Sequence, residues 1–152
     1  MAAPIKLGVI GCGYWGPNLV RNFSILQESS VKTVCDPDAT RLEHIQNLYP
    51  LKVTRNFEEV VSDPEIAAVA IATPVGFHYE MARKSLENGK HTYIEKPMTR
   101  TIDEGRELTA LAAEKDLVLM VGHTFIFSAA VRKITEIIDS GEIGDLLYIS
   151  SQ

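Results

Sequence analysis

Apolar positions along this chain follow two alternating rhythms. Residues 5–10 form a short, largely apolar run that stops at Gly11, as a strand covered on both faces of a parallel sheet does. Over residues 14–27, Leu19, Val20, Phe23, Ile25 and Leu26 make a helical stripe, with Pro17 in its first turn. Residues 31–35 read as a second strand closed by Asp36-Pro37, residues 39–48 as a helix, Val53 as part of a third strand, and residues 57–61 as a short helix. Residues 66–72, seven apolar side chains in succession ended by Thr73-Pro74, are the plainest strand. A helix over 77–86 ends at Asn88-Gly89, a good helix-stop signal. A strand over 91–94, a helix over 103–114 and a strand over 117–121 ending at Gly122 complete the series. Such regular alternation predicts an α/β fold, a Rossmann-type doubly wound parallel sheet with right-handed crossovers.

After residue 122 the alternation stops. Val131, Ile134 and Ile138 predict a further helix ended by Ser140-Gly141, and residues 145–150 read as a strand without an obvious sheet. The expected organisation is one domain over residues 1–122. Residues 123–152 would follow as a connecting helix and the first strand of a truncated second domain.

Composition narrows the partners. The chain has 152 residues, 45% of them hydrophobic, enough apolar content for one core. A net charge of −5 argues against a nucleic-acid surface, which is normally basic. The longest apolar run is the seven-residue strand, too short for a bilayer, and the N-terminus carries no secretory pattern. Cys12 and Cys35 lack metal-ligand spacing and fit a reducing compartment, so a cytoplasmic protein with no metal is expected.

The chemistry sits at strand ends. Gly11-Cys12-Gly13-Tyr14-Trp15-Gly16 fits G-x-G-x-x-G between the first strand and the first helix. There Gly11 permits a tight turn, Gly13 lets a pyrophosphate approach the main chain, and Gly16 lets helix pack on strand. The helix N-terminus adds free N–H groups and a partial positive charge. Asp36, 20 residues beyond Gly16, ends the second strand, where a carboxylate accepts from the ribose hydroxyls and repels a 2′-phosphate. Residues 37–40 offer no arginine for such a phosphate, so NAD is favoured over NADP as cofactor. Thr73 and Pro74, with His78 in the following helix, fall at the carboxyl end of the fourth strand, where ligands gather in open α/β sheets. Read locally, His78 is equally a structural residue of the helix start. Glu95-Lys96-Pro97 follows the fifth strand on that same face. A lysine there can reach a substrate hydroxyl beside the nicotinamide, and partial burial with the cofactor's positive charge would make it a better proton acceptor.

As an ordered set, the glycine loop, Asp36, Thr73-Pro74 with His78, Glu95-Lys96-Pro97 and Gly122-His123 resemble the N-terminal domain of one family. It is the glucose–fructose oxidoreductase, inositol dehydrogenase and rhizopine-catabolism family (Gfo/Idh/MocA), and the likeness covers essentially the whole chain. The resemblance implies that Lys96 lies by the nicotinamide and substrate, that Glu95 helps shape the cofactor site, and that the bond before Pro97 is unusual, even cis. It also puts His123 on the substrate side. Residues 13–23 are similar to members acting on nucleotide-linked sugars, including those that oxidise the 3-hydroxyl of UDP-N-acetylglucosaminuronate. Phe127-Ser128-Ala129-Ala130 departs from the many relatives with a proline before the alanine, which leaves the local substrate-side loop open.

Family members continue into a second α/β domain that carries substrate contacts, a catalytic histidine and most of the oligomer interface. The resemblance therefore implies a homo-oligomer when complete, and a chain of 152 residues that binds cofactor without turning over substrate alone. The reaction implied is hydride transfer from a sugar carbinol carbon to NAD, with Lys96 assisting proton removal. A non-catalytic NAD(H)-sensing module accounts equally well for the glycine loop and Asp36, but not for Lys96. An S-adenosylmethionine-binding methyltransferase fits the glycine fingerprint and the Glu-Lys-Pro turn poorly.

Overall fold

A computed structural model describes residues 3–150. Six strands form one all-parallel sheet: β1 (Ile5–Ile10), β2 (Ser29–Cys35), β3 (Lys52–Thr54), β4 (Ala68–Ile71), β5 (His91–Ile94) and β6 (Leu119–Val121). Their order across the sheet is β3-β2-β1-β4-β5-β6. The chain therefore reverses direction between β1 and β4, and a crevice opens at the carboxyl ends of those two strands. Helices α1 (Gly16–Ile25), α2 (Ala39–Leu48), α3 (Phe57–Val61), α4 (His78–Glu87) and α5 (Ile102–Glu114) connect the strands. Among the described residues, no helix is long and apolar enough to cross a membrane.

Alternation along the strands feeds two cores. Leu7 and Val9 of β1 and Ala70 of β4 pack with Leu19 and Val20 of α1 and Leu42 and Ile45 of α2. The intervening Ile10, Val69 and Ile71 face the other side, against Val60, Ala82, Leu86, Leu108 and Ala112. Both faces of β1 and β4 are covered, which is why these strands read as continuous apolar runs.

Local signals set the boundaries. Asp38 caps α2 by accepting from the Thr40 and Arg41 amides, and Thr101 and Glu104 form a reciprocal capping box on α5. After α4 the chain turns through Gly89 at φ +73°, where glycine avoids the usual Cβ penalty. The sequence pattern misplaces several boundaries: the helix read over 14–27 spans Gly16–Ile25, and the strand read over 117–121 spans only Leu119–Val121. The apolar run 66–72 gives a strand only over Ala68–Ile71, because Ile66 is buried ahead of the first ladder bond. The helix expected from residue 77 begins at His78, behind a single 3-10 turn over Val75–Phe77. Lys90, just before β5, is buried, and its Nζ donates to the carbonyls of Asp63 and Ile66 at 2.7 Å each, tying down the loop ahead of β4. Burial lowers its pKa from the usual 10.5.

The chain divides into two compact units, Met1–Gly122 and His123–Gln152. The second contains a 3-10 turn over Thr124–Phe127 and helix α6 (Ala129–Asp139). The Ser128 hydroxyl caps α6 by accepting from the Val131 amide at 3.2 Å, and the Arg132 guanidinium stands 6.0 Å from the centre of the Phe127 ring. Residues 145–150, read from sequence as a strand, have no strand conformation. A strand is defined by its pairing, and among the described residues this segment joins no sheet.

Candidate cofactor site

The carboxyl ends of β1, β2 and β4 enclose a cleft of about 500 Å³, a typical size for a small-molecule site. Of the residues singled out from sequence, Gly11, Gly13, Tyr14, Trp15, Asp36, Thr73 and Pro74 line it. Pro37, Arg41, Ala72, Phe77 and Met81 complete the wall.

The three glycines meet three different demands. Gly11 has φ +92°, and a Cβ there would lie 2.7 Å from the Ala72 carbonyl oxygen. At Gly16 a Cβ would come within 1.9 Å of the Gly11 carbonyl oxygen, so the first turn of α1 closes directly on the loop. Gly13 differs: nothing lies within 4 Å of the Cβ it lacks. Its bareness relieves no clash within the protein and leaves the amide ridge open to a ligand. That open ridge beside the N-terminus of α1 fits a dinucleotide diphosphate.

Asp36 is 2% exposed. One carboxylate oxygen accepts from the Cys12 amide at 2.6 Å and the other from the Asp38 amide at 2.9 Å, so the side chain ties the glycine loop to the end of β2. Each oxygen keeps a second lone pair for a further hydrogen bond. Arg41 stands 3.6 Å from this carboxylate and 3.5 Å from that of Asp38. Sequence reading stopped one residue short of it. The signal was available, since a residue three places after an N-cap Asp returns to the capped end of its helix. Tyr14 is 84% exposed and meets Trp15 edge to face at 5.3 Å between ring centres, at the mouth of the cleft.

The remaining site residues lie elsewhere. Gly16 is buried beneath the loop. His78, expected among the cofactor contacts, is only 1% exposed and stands behind the wall, with one ring nitrogen 2.7 Å from the Thr73 carbonyl and the other 2.9 Å from that of Pro97. Glu95 is buried; its carboxylate accepts from the Tyr93 hydroxyl at 2.9 Å and from the Lys96 amide at 3.3 Å. Burial, and then this hydrogen bond to Glu95, push the Tyr93 hydroxyl up to about 12. Gly122 closes the cluster, for a Cβ there would sit 2.4 Å from the Tyr93 hydroxyl oxygen. The Lys96–Pro97 bond is cis. Lys96 itself is exposed, so the partial burial expected of it is not present in this chain. His123 starts the second unit, where its carbonyl accepts from the Ile126 amide at 3.2 Å. Both thiols are free and buried, and burial is the main reason that Cys12 is pushed up to about 12 and Cys35 to about 11. Among the described residues no cluster of three or more His, Cys, Asp or Glu is arranged to hold a metal ion.

A family model described as "Oxidoreductase family, NAD-binding Rossmann fold" (Gfo/Idh/MocA) matches residues 5–123. The chain belongs to this family. As a Gfo/Idh/MocA domain it is an NAD-binding Rossmann module, and the match takes in every residue placed at the cleft. Its relatives include scyllo-inositol 2-dehydrogenase (NADP(+)) IolW of Bacillus subtilis, 32% identical over 93% of this chain and 39% of that protein. Another is dTDP-3,4-didehydro-2,6-dideoxy-alpha-D-glucose 3-reductase of Saccharopolyspora spinosa, 29% identical over 96% of this chain and 44% of that one. Among solved structures, scyllo-inositol dehydrogenase from Lactobacillus casei, with bound cofactor NAD(H) and scyllo-inositol, superposes with a TM-score of 0.86. It is 26% identical, over 93% of this chain and 43% of that one. The Gfo/Idh/MocA chain described here thus spans less than half the length of these relatives.

Proposed function

We propose that this chain is the cofactor-binding part of an NAD-dependent dehydrogenase acting on a hydroxyl of a sugar or nucleotide sugar. The observation that carries the reading is the open amide ridge at Gly13, set between β1 and α1 and flanked by the carboxylate of Asp36. Gly11, Gly13 and the first turn of α1 cradle the diphosphate, and Asp36 takes the adjacent ribose. Tyr14, Trp15, Thr73 and Pro74 form the walls that hold the cofactor and exclude water from it. NAD, when bound, supplies the hydride acceptor or donor. Lys96, exposed at the carboxyl end of β5, hydrogen-bonds the reacting hydroxyl and helps to take its proton. Glu95, through its bond to the Lys96 amide, sets the start of that turn. We assign His123 to substrate contact on the family resemblance alone. Support for a polyol or sugar comes from the relatives, whose names describe a scyllo-inositol dehydrogenase and a dTDP-sugar reductase. The two free thiols are in keeping with a reducing, cytoplasmic setting, and the homo-oligomer rests on the family resemblance alone.

The test is a fluorescence titration with NADH on the wild-type chain and on Gly13→Ala. Space around Gly13 is open, so the variant should keep its melting temperature within about 2 °C of wild type. Its added methyl takes the place of the diphosphate, and affinity should fall by tenfold or more (about 1.4 kcal/mol). Equal NADH affinity in the two proteins would remove the diphosphate from this ridge. The 152-residue chain should bind without sustained turnover; a steady-state dehydrogenase rate from it alone would overturn the division of labour.

A further inference from the structure

Two loops meet at His78. The first, Thr73-Pro74, ends β4 and lines the cleft; the second, Glu95-Lys96-Pro97, ends β5 and carries the lysine. The His78 ring lies between them, with Nε2 2.7 Å from the Thr73 carbonyl oxygen and Nδ1 2.9 Å from the Pro97 carbonyl oxygen. A carbonyl oxygen only accepts, so each contact needs an N–H from the ring. A neutral imidazole has one N–H and would leave its other nitrogen lone pair against an oxygen lone pair at hydrogen-bond distance. Turning the ring over would present C–H groups to both carbonyls. Among the described residues, neither carbonyl accepts a hydrogen bond from any other protein group. Both lengths are those of well-formed N–H···O bonds, about 2.7–3.2 Å, so neither contact is a mere near approach.

We propose that His78 is a positioning residue that donates from both ring nitrogens at once, a buried imidazolium bridge fixing the Lys96 turn to the cofactor-lining loop. Burying a cation costs free energy, and the N-terminal dipole of α4, which His78 opens, adds to that cost. Against it stand two short carbonyl bonds and the acidic Glu80 in the same helical turn. The bridge reaches across 19 residues to Pro97 and only five to Thr73, so it joins two strand ends that share no ladder beyond Ile71 and Ile94. Dinucleotide that settles against Thr73 and Pro74 thereby bears on the backbone that aims Lys96. This functional half rests on the reading of the cleft as an NAD site; the double donation does not.

The decisive measurement is nitrogen-15 NMR of the ring on the wild-type chain labelled at its four histidines, with His78 assigned through bonds to its own backbone. Both His78 ring nitrogens should carry a proton at neutral pH, with both N–H signals visible because the ring is shielded from water. One unprotonated nitrogen would overturn the proposal, and no variant is needed to see it. A second measurement follows Lys96 through a carbon-13 methyl label on its amine during NADH titration. In His78→Asn the shift of Lys96 should be lost while the amide shifts at Gly13 persist; His78→Gln repeats the test should the first variant fail to fold. An unchanged Lys96 shift in the variant would refute the positioning role. If NADH shifts nothing in the wild type, the cofactor reading fails instead, and the ring nitrogens still decide the bridge.

Discussion

Around the glycine loop the cleft is walled by main chain, while around Thr73 and Lys96 its loops are held in place by side chains. At the first end the Gly16 and Gly11 backbones come together, and Asp36 accepts from two backbone amides. At the second end, His78 bridges two carbonyls, and Tyr93 holds Glu95, which in turn accepts from the Lys96 amide. A main-chain wall presents the same face to any diphosphate and tolerates little change. A loop set by side-chain hydrogen bonds can be re-aimed by exchanging one residue.

Gly16→Ala is the hardest blow to the main-chain end. Its methyl would meet the Gly11 carbonyl carbon at 2.8 Å as well as its oxygen, and backbone has nowhere to yield. Stability should drop by about 3 kcal/mol in urea unfolding, with NADH binding lost as well. A wild-type midpoint would show that the loop is softer than its contacts imply. At the side-chain end, Gly122→Ala should cost about 1–3 kcal/mol, because the Tyr93 phenol has to move. Tyr93→Phe in the same chain should recover part of that loss, since the ring carbon remains 3.1 Å from the new methyl, and Tyr93→Leu should recover more. If neither recovers anything, the clash lies elsewhere.

Alkaline unfolding separates the two ends more gently. Folding holds the Cys12 and Cys35 thiols well above their usual 9.0, at about 12 and about 11, and holds the Tyr93 hydroxyl at about 12 against 10.0. The unfolded chain therefore sheds these protons first, and stability should be intact below pH 9 and decline as pH rises from 9 toward 12. Cys35→Ser should flatten the start of the decline and Tyr93→Phe its later part; a profile rising over this range would contradict the burial of these groups. Arg41→Ala has the smallest expected effect. It removes a half-exposed partner of Asp36 and Asp38, so the preference for NADH over NADPH should widen by about threefold, measured as a ratio of dissociation constants. An unchanged ratio would show that the guanidinium does not act on the ribose end.

The legible parts of the molecule were those whose cause is local. A buried parallel strand advertises itself in a run such as Ala68–Ile71, and a strand-to-helix turn as tight as Gly11 to Gly16 admits little but glycine. Asp36 was legible as a carboxylate in the right place, though not as the anchor of the Cys12 amide 24 residues away. The partners of His78 and the fit of Gly122 against Tyr93 depend on strands that become neighbours only after folding. No spacing rule in one dimension encodes them. The segment 145–150, read as a strand without a sheet of its own, has apolar content that local pattern shows, while a pairing partner is something local pattern cannot supply.

The interlock of Gly122 with Tyr93 also orders the routes by which this sequence can change. A side chain at 122 is admitted only after residue 93 has given up its phenol, so the two positions must drift in a set sequence, small partner last. Lineages that keep a bulky ring on β5 will be found with glycine at the end of β6, and those with an aliphatic residue on β5 will admit a small side chain there, with only the Glu95 carboxylate, 3.1 Å from its Cβ, to give way.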